Sequence, residues 1–371
     1  MNICYISNSA APSKNASSLQ TAKLCEALRK IGHKVILVLP DTGYKDKNYH
    51  HFYDIKNKFE IKRIKYFKIF PTGINYYLYS LISILISSYK KQNLYITRNF
   101  FTSLLLCIFN KNHILEIHDD IRIEGRIVKF LIKYFKYLNN KNILKIITTT
   151  NTLKNKYHKS YFVSKDKLLV LHNASSLKLK FKKYKNLNRN LKIGYFGSIY
   201  KSRGLDMLIK LSKKDINNEY YIYGGSKKVI KNLNNKYSLK NLHFQSYIPY
   251  SKIKRKLKNI DVCLLPYSNK ITVAGNVGDI SKYTSPLKIF DYMITGKLII
   301  CSDIKVLKEV LKHDINSILI NKKNNHVVWL KELKKIKSDI KKFNKIRFNA
   351  YKFANKEDFI WRAKKIISSI L

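Results

Sequence analysis

Short apolar runs rich in isoleucine, valine, leucine and tyrosine alternate with longer helical patterns along almost the whole chain. The first half contains the runs NICYISN, KVILVLP, NLYITRN, HILEIHD, ILKIITTT and LLVLHN. The second half contains LKIGYFGS, EYYIYGG, NLHFQSY, VCLLPY, KLIICSD and SILI. Strands that alternate with helices are typical of βαβ units, in which the strands pair in parallel. The pattern therefore predicts an α/β fold built on parallel sheets.

A polar, basic stretch without a strand or helix period separates the two sets of runs, between Ser175 and Asn190. A chain of 371 residues is also too long for one ordinary core. We therefore predict two doubly wound domains, over residues 1–180 and 190–353, that face a central cleft. Ligands of such sheets bind beyond the carboxyl ends of the strands, so the loops that follow strands are the places to look for a site.

The charge is strongly basic, with 73 lysine and arginine residues against 23 acidic ones and a formal net charge of +50. Such an excess indicates nucleic acid, anionic lipid or acidic substrates as partners. Heavy use of lysine, asparagine, isoleucine and tyrosine makes a coding bias an equally good explanation. The lysines recur on helical faces throughout and no nucleic-acid-binding module is recognisable, so nucleic acid is the less favoured partner.

The five cysteines lack metal-ligand spacing, and most lie inside apolar runs, which indicates reduced, buried thiols in a cytosolic protein. The N-terminus has no pattern of a signal peptide. The longest apolar run begins at Gly73, is shorter than the ~20 residues that span a bilayer, and is interrupted by polar residues. We expect a cytoplasmic protein without a metal site.

The stretch TSPLKIFDYM has the features of a helix N-terminus that binds an anion. Ser285 is a good N-cap and Pro286 suits the first helical position, so the backbone N–H groups from Leu287 onward would point out of the helix start. A capping box would place glutamate or glutamine where Lys288 stands. Asp291 lies on the same face as Lys288. This combination predicts a ligand that carries both phosphate and hydroxyl groups.

The stretch LKIGYFGSIYKSRGLDML places a glycine and two cations directly after a predicted strand. Gly197 would let the backbone approach a ligand closely, and Lys201 and Arg203 could meet phosphate oxygens. An ordinary turn between a strand and a helix has the same ingredients, so this loop alone does not establish a site.

The run HILEIHDD delivers His118, Asp119 and Asp120 to the carboxyl end of a strand. An imidazole there can bond a hydroxyl group or take part in acid–base chemistry. The alternative is a capped turn with a surface histidine. No arrangement of serine, cysteine and histidine suggests a covalent nucleophile. The glycine fingerprint of dinucleotide-binding enzymes is absent after the first strand, which disfavours redox chemistry.

Three segments resemble, in their order and residues, the C-terminal domain of retaining GT-B glycosyltransferases of family 4, or group 1 glycosyltransferases. They are YFGSIYKSRGLDMLI, NLHFQSYIPYSKIKRKLKNIDVCLLPYS and SPLKIFDYMITGKLIICSDIKVLKEVL. The segments CEALRKIGHKVILV and EIHDD fit the N-terminal domain. The resemblance implies two Rossmann-like domains around a central cleft. The N-terminal domain would bind the acceptor, the second domain the nucleotide-sugar, and a helix over residues 354–371 would return to the first domain.

The resemblance also implies roles for the helix that begins at Ser285. Its N-terminal amides and Lys288 would receive the diphosphate, while Asp291 would accept hydrogen bonds from the ribose hydroxyls. The family normally has an acid before this helix, and here that position is Tyr283.

In the first loop, Arg203 matches the family's lysine that contacts the diphosphate, and Gly197 matches its loop glycine. The arginine expected after this glycine is Ser198, so Lys201 would have to replace it. His118 matches the N-domain histidine near the donor sugar and the acceptor.

These features favour a metal-independent transferase that moves a sugar from a nucleoside diphosphate to an acceptor hydroxyl with retention of configuration. The acceptor would be a saccharide or a lipid-linked saccharide, in surface polysaccharide or glycan assembly. Two alternatives stay open at this point, a basic nucleic-acid-binding protein and a sugar-nucleotide epimerase on the same fold.

The segment RIVKFLIKYFKYLNN predicts contact with an anionic membrane surface. Arg126, Lys129, Lys133 and Lys136 recur at helical spacing among aliphatic and aromatic residues, as in interfacial helices. We therefore expect a peripheral protein on the inner face of the cell membrane. The alternative is a helix packed on the N-domain sheet with solvated lysines.

Overall fold

The computed structural model describes residues 1–41, 49–65, 72–88, 92–120, 126–185, 187, 190–199, 201–272 and 279–371. It describes the backbone alone of Thr72, Arg126, Ile127, Val128, Lys133, Phe135 and Lys201. The chain divides into two compact units. Unit 1 consists of Met1–His172 and Phe359–Leu371, and unit 2 consists of Asn173–Asp358.

Unit 1 is built on a parallel sheet with the strand order β3-β2-β1-β4-β5-β6-β7. The strands are β1 (Asn2–Ile6), β2 (Lys34–Asp41), β3 (Glu60–Lys65), β4 (Leu94–Thr97), β5 (His113–Ile117), β6 (Ile143–Thr148) and β7 (Leu168–Val170). The apolar runs predict all of them except β3. Its sequence, EIKRIK, has too few apolar residues, and only one of its six positions is buried because it is an edge strand.

The helices of unit 1 are α1 (Ala16–Lys30), α2 (Tyr49–Phe52), α3 (Thr72–Ser88), α4 (Phe100–Ile108), α5 (Arg126–Phe135), α6 (Asn151–Tyr161) and the C-terminal α13 (Phe359–Ser368). Helix α13 packs against α1. In the described part of the chain, no helix has the length and apolar character needed to cross a membrane.

Unit 2 has a second parallel sheet with the strand order β10-β9-β8-β11-β12-β13. Its strands are β8 (Lys192–Phe196), β9 (Glu219–Tyr223), β10 (Leu242–Gln245), β11 (Val262–Leu265), β12 (Leu298–Ser302) and β13 (Ile318–Ile320). Its helices are α7 (Leu205–Lys214), α8 (Lys227–Lys236), α9 (Tyr250–Lys258), α10 (Leu287–Ile294), α11 (His326–Ser338) and α12 (Ile340–Lys356). The strands pack with Trp329, Leu333 and Phe343 of α11 and α12 in one apolar core.

The strand order reverses between β1 and β4 in unit 1 and between β8 and β11 in unit 2. In doubly wound sheets the crevice for a ligand lies at such a switch point, beyond the carboxyl ends of the strands. The loops after β8 and β11 are therefore the first candidates in unit 2, and those after β1, β4 and β5 in unit 1.

The unit boundaries differ from those predicted by the sequence. Residues 173–180 belong to unit 2 rather than to the first domain, and the predicted boundary at residue 354 falls inside α12. The irregular stretch after residue 173 is held by α12: Arg347 Nη2 donates to the Lys182 carbonyl oxygen at 3.0 Å, and Asn344 Nδ2 donates to that of Tyr184 at 3.0 Å. These bonds are long-range, so the sequence pattern does not contain them.

Candidate functional site

Gly197 directly follows β8, has φ at +147° and lies against the amine of Lys288. A β-carbon on Gly197 would lie 2.1 Å from Lys288 Nζ and 2.8 Å from its Cε. Gly224, which follows β9, is required for a similar reason, because a β-carbon there would lie 1.9 Å from the Gly197 carbonyl oxygen. Any side chain at these two positions would therefore displace the Lys288 amine or the backbone beside it.

Lys288 is a half-buried cation held by aromatic rings. Its Nζ lies 4.2 Å from the centroid of the Tyr195 ring and 5.8 Å from that of Tyr267. Burial holds the pKa of Lys288 well below its ordinary value, and the charge of Arg203 lowers it further. Within the described part of the chain, neither Lys288 nor Arg203 forms an ion pair with a carboxylate. The two cations therefore favour an anion that the protein does not itself supply.

Arg203 is positioned by the loop between β8 and α7. It ends a 3-10 turn, Lys201–Arg203, and the following Gly204 has φ at +86°. A β-carbon on Gly204 would lie 1.9 Å from the Pro266 carbonyl oxygen, so the turn packs tightly on the loop after β11. Arg203 Nη2 donates to the Thr272 carbonyl oxygen at 3.1 Å, whereas its Nε is buried with no hydrogen-bond partner among the described residues.

Helix α10 begins one residue later than the sequence predicts. Its N-cap is Pro286, with an extended backbone at φ −67° and ψ 124°, so Pro286 is not the first helical residue and Ser285 is not the cap. The Ser285 carbonyl oxygen instead accepts a hydrogen bond from Asn173 Nδ2. The helix has no side-chain cap and no acidic residue in its first turn, which begins at Leu287. The positive end of its dipole is therefore not compensated by its own side chains.

Asp291 is a buried carboxylic acid that is already hydrogen-bonded. Its Oδ1 accepts from Ser175 Oγ at 2.5 Å and from the Tyr250 hydroxyl at 3.1 Å. Burial raises the pKa of Asp291 to about 6, although these two hydroxyls act in the opposite direction. The sequence predicted Asp291 as a partner of ribose hydroxyls and did not predict the two protein donors.

Two further positions of the predicted site differ in their exposure. Ser198 is exposed, and its carbonyl oxygen accepts from the Tyr195 hydroxyl at 2.8 Å. Tyr283, at the position of the missing acid, is buried. The side chain of Lys201 lies outside the described residues, so its predicted replacement of an arginine stays a prediction.

His118 lies in unit 1, just past the carboxyl end of β5 and beside the switch point. Its Nε2 is buried without a hydrogen-bond partner among the described residues, so it is not the surface histidine of the alternative interpretation. Burial holds the pKa of His118 well below its ordinary value, with smaller contributions from Arg98 and Arg362. The imidazole is therefore neutral near pH 7, and its Nε2 is not engaged by any side chain or backbone group in the described ranges.

Of the predicted site residues, His118 belongs to unit 1 and all others belong to unit 2. The structure brings together Gly197, Arg203 and Lys288. Sequence reasoning missed Gly224, the ring of Tyr195 and the ring of Tyr267. The double glycine after EYYIY could have indicated the first of these, whereas the two tyrosines look like ordinary strand residues.

Metal ligands do not cluster in the described part of the chain. There, no group of three or more histidine, cysteine, aspartate or glutamate residues could hold a metal ion. The five cysteines are buried, and burial raises the pKa of Cys4 and of Cys107 to about 12, which makes both poor metal ligands and poor nucleophiles.

Residues 178–353 match the family model for glycosyl transferases group 1. No curated protein matches the chain significantly. Among solved structures, the chain is similar to HepE from Anabaena in complex with UDP-glucose, with 14% identity, a TM-score of 0.71 and 100% of each chain covered.

Two further solved structures are similar over nearly their whole length. Sucrose-phosphate synthase from Thermosynechococcus elongatus has 14% identity and a TM-score of 0.73, with 99% of this chain and 97% of that chain covered. The lipopolysaccharide outer core galactosyltransferase WaaB, in its apo form, has 11% identity and a TM-score of 0.69, with 100% and 99% covered. At these identities the similarity shows the fold, and the two Rossmann-like domains of the predicted GT-B fold are confirmed.

Proposed function

We propose that this chain, a transferase whose residues 178–353 form a group 1 glycosyltransferase domain, moves a sugar from a nucleoside diphosphate to a hydroxyl group of an acceptor. The observation that carries the proposal is the pair of cations at the switch point of unit 2. Lys288 lies beside Gly197, Lys288 and Arg203 both approach the ring of Tyr267, and neither forms an ion pair with a carboxylate among the described residues. A diphosphate supplies the missing negative charge.

The diphosphate would be bound by three features of unit 2. Gly197 leaves room for the Lys288 amine beside the backbone, Lys288 and Arg203 supply two positive charges, and α10 supplies the N–H groups of its first turn. Charge on the diphosphate increases when the glycosidic bond breaks, so these groups stabilise the transition state more than the bound donor. A bound anion would also reverse the lowered pKa of Lys288 and keep its amine protonated.

We propose that the reaction proceeds with retention, on one face of the sugar. The bond between the anomeric carbon and the diphosphate oxygen breaks, and the acceptor oxygen bonds to the same carbon from the same side. The acceptor proton passes to the leaving diphosphate, so no protein nucleophile is needed. The five buried thiols are compatible with this mechanism. Ser103 Oγ lies 2.8 Å from His113 Nε2, but both side chains are fully buried in unit 1, where no substrate can reach them.

His118 would contribute a neutral imidazole to this reaction. Its Nε2 is buried at the carboxyl end of β5 and has no hydrogen-bond partner among the residues that the structure describes. A sugar or acceptor hydroxyl is a suitable partner because a neutral ring nitrogen can accept from it or donate to it. Asp291 keeps its proposed role with the ribose hydroxyls, although its Oδ1 already accepts from Ser175 and Tyr250.

A uridine diphosphate sugar is the first donor to test, since the similar HepE structures contain UDP-glucose or UDP. We propose a saccharide or lipid-linked acceptor, in surface polysaccharide or glycan assembly. Similarity to a lipopolysaccharide galactosyltransferase supports this class of acceptor. We also propose that the enzyme needs no metal ion, does not act on nucleic acid, and works as a peripheral protein at the cytoplasmic face of the membrane.

The test is calorimetric titration with UDP and UDP-sugars, comparing wild type with Lys288→Met and with Lys282→Met, an exposed lysine on the preceding loop as the matched control. We expect Lys288→Met to weaken UDP binding and to lower turnover by roughly 10²–10³, with no change in the control. Equal UDP affinity in all three proteins would refute the site. Incubation with a UDP-sugar alone tests the epimerase alternative, because an epimerase forms product without an acceptor.

A further inference from the structure

Unit 1 exposes large apolar side chains at the edge of its sheet where the strands begin. Ile108 is 62% exposed, Phe109 39%, Phe130 54%, Tyr134 62% and Phe162 69%. They come from α4, α5 and α6 or the residue that follows each helix, and these helices lead into β5, β6 and β7. We call these five residues the docking surface.

Hydrogen bonds between the segments that follow α4, α5 and α6 place the ends of these helices next to one another. Asn142 Nδ2 donates to Asn112 Oδ1 at 3.2 Å, which joins the segment after α5 to the segment after α4. Asn139 Nδ2 donates to the Phe162 carbonyl oxygen at 2.9 Å, which joins it to the end of α6. The rings of Phe130 and Tyr134 lie 4.7 Å apart. The three helix ends that carry the docking surface are therefore neighbours.

The docking surface has a basic border. Residues 126–171 contain eleven lysine and arginine residues and one acidic residue, Asp166. Lys129 and Lys136 are exposed, and Lys136 Nζ lies 5.8 Å from the centroid of the Phe162 ring. The side chains of Arg126 and Lys133, which belong to the same sequence pattern, lie outside the described residues. The border attracts anionic surfaces and repels a second copy of the same face.

We infer that the docking surface binds unit 1 to an anionic lipid bilayer. Exposed apolar patches mark interaction sites, and aromatic and aliphatic residues within a basic border suit the boundary between headgroups and acyl chains. A nucleic acid would contact the lysines through its phosphates and the aromatic rings through its bases, but it would not need the exposed aliphatic side chain of Ile108. The inference deepens the proposed peripheral location and rests on it, but it does not depend on the transfer reaction.

The docking surface is larger than the membrane contact that the sequence predicts. The sequence indicates α5 alone, whereas Ile108, Phe109 and Phe162 add the ends of α4 and α6. Such a surface approaches the bilayer with the starting edge of the sheet.

The experiment is co-sedimentation of the full chain with vesicles of phosphatidylcholine, with and without phosphatidylglycerol. An apolar variant combines Phe130→Ser, Tyr134→Ser and Phe162→Ser, and a charge variant combines Lys129→Ala and Lys136→Ala. Phe348→Ser with Lys352→Ala is the matched control in unit 2, since Phe348 is 43% exposed and Lys352 Nζ lies 5.8 Å from its ring centroid.

We expect wild type to bind the anionic vesicles and to lose binding as salt rises. The charge variant should bind roughly fivefold more weakly for each lysine removed, which corresponds to ~1 kcal/mol each. The apolar variant should lose most of its binding, and the control should bind like wild type. Circular dichroism and UDP titration should be unchanged in all variants, because these side chains are exposed and lie far from the donor residues in sequence.

Equal binding by wild type and both variants, or equal binding to neutral and anionic vesicles, would overturn the inference. Tight binding of a fluorescent single-stranded oligonucleotide that the apolar variant loses would overturn it in favour of nucleic acid. Failure of the proposed function is distinguishable, since it would appear as absent UDP binding or transfer while vesicle binding persists.

Discussion

Gly197 determines how closely a ligand can approach the cations of unit 2. Its φ of +147° and its contact with Lys288 make a side chain unfavourable for two reasons, backbone strain and a clash with the amine. Lys288 in turn depends on the rings of Tyr195 and Tyr267, which hold the ammonium group by cation–π contact in place of a carboxylate. The site is therefore electropositive because aromatic rings leave the charge available for a ligand.

Gly197→Ala should displace the Lys288 amine and weaken UDP binding by at least roughly tenfold, or ~1.4 kcal/mol. Gly73→Ala is the control, because a β-carbon on Gly73 meets no atom within 4 Å and the residue lies in α3. That control should retain UDP affinity and should be stabilised by up to ~1 kcal/mol. Calorimetry and thermal unfolding measure both effects, and unchanged UDP affinity in Gly197→Ala would contradict the contact.

Asp291 should make stability depend on pH in a predictable direction. Its pKa of about 6 in the folded chain exceeds the ordinary value of 3.8. The stabilising contribution of the neutral acid is therefore complete below pH ~4 and is lost as pH rises through 6. The loss amounts to about 3 kcal/mol, at 1.36 kcal/mol per pKa unit.

Asp291→Asn removes this titration but keeps the shape of the side chain. We expect the variant and wild type to unfold at similar urea concentrations at pH 4, and the variant to be more stable at pH 7. UDP binding should nevertheless weaken, because an amide is a poorer acceptor for ribose hydroxyls than a carboxylate. Parallel stability curves over this pH range would show that Asp291 does not titrate as described.

Helix α13 is held to unit 1 by a buried ion pair rather than by apolar packing alone. Arg362 Nη2 lies 2.8 Å from Glu116 Oε1, and both side chains are almost fully buried. Arg362 Nη1 also donates to the carbonyl oxygens of Leu171 and His172. Arg362 thereby connects α13 to β5 and to the residues that follow β7, at the point where the chain leaves unit 1.

Arg362→Met should destabilise unit 1 strongly, because it leaves the buried carboxylate of Glu116 unpaired. The expected loss is ~3–5 kcal/mol. Lys364→Met, an exposed position on the same helix, is the control and should change stability by less than ~0.5 kcal/mol. Adding Glu116→Gln to Arg362→Met should recover part of the loss in urea unfolding, and an additive double variant would argue against the pair.

Considered as a whole, the molecule repeats one architecture twice. Each unit has a parallel sheet with one switch point, and chemically competent residues lie at the carboxyl ends of the strands in both: His118 in unit 1, and Gly197 with Arg203 in unit 2. The positive charge is spread over the surface, but Lys288 and Arg203 combine partial burial, a place near the switch point of unit 2 and the lack of an ion pair among the described residues.

Transfer should proceed in the presence of EDTA. Lysine, arginine and helix amides can neutralise the leaving diphosphate without a metal ion, and the described residues contain no group of metal ligands. The measurement is UDP release with and without chelator after extensive dialysis. Loss of activity in EDTA and its recovery with a divalent cation would show that the mechanism needs a metal.

Local sequence patterns predict the fold class and nearly every strand. Apolar runs separated by helical patterns predict twelve of the thirteen described strands, because buried parallel strands need continuous apolar residues. The exception, β3, is an edge strand whose lysine and arginine side chains can remain solvated. The sequence also indicated Gly197, Arg203 and Lys288, but for the first two the resemblance to group 1 glycosyltransferases was needed, because an ordinary turn between a strand and a helix has the same glycine and cations.

How these residues act depends on contacts between distant parts of the chain. The contact of Gly197 with Lys288 joins residues 91 positions apart, and the bond of Ser175 to Asp291 joins residues 116 positions apart. Packing also determines that α10 starts after Pro286, that Lys288 faces tyrosine rings, and that the ends of α4, α5 and α6 are neighbours. Local patterns encode the period of burial along one element, whereas burial, pKa and partner choice depend on which distant elements pack together.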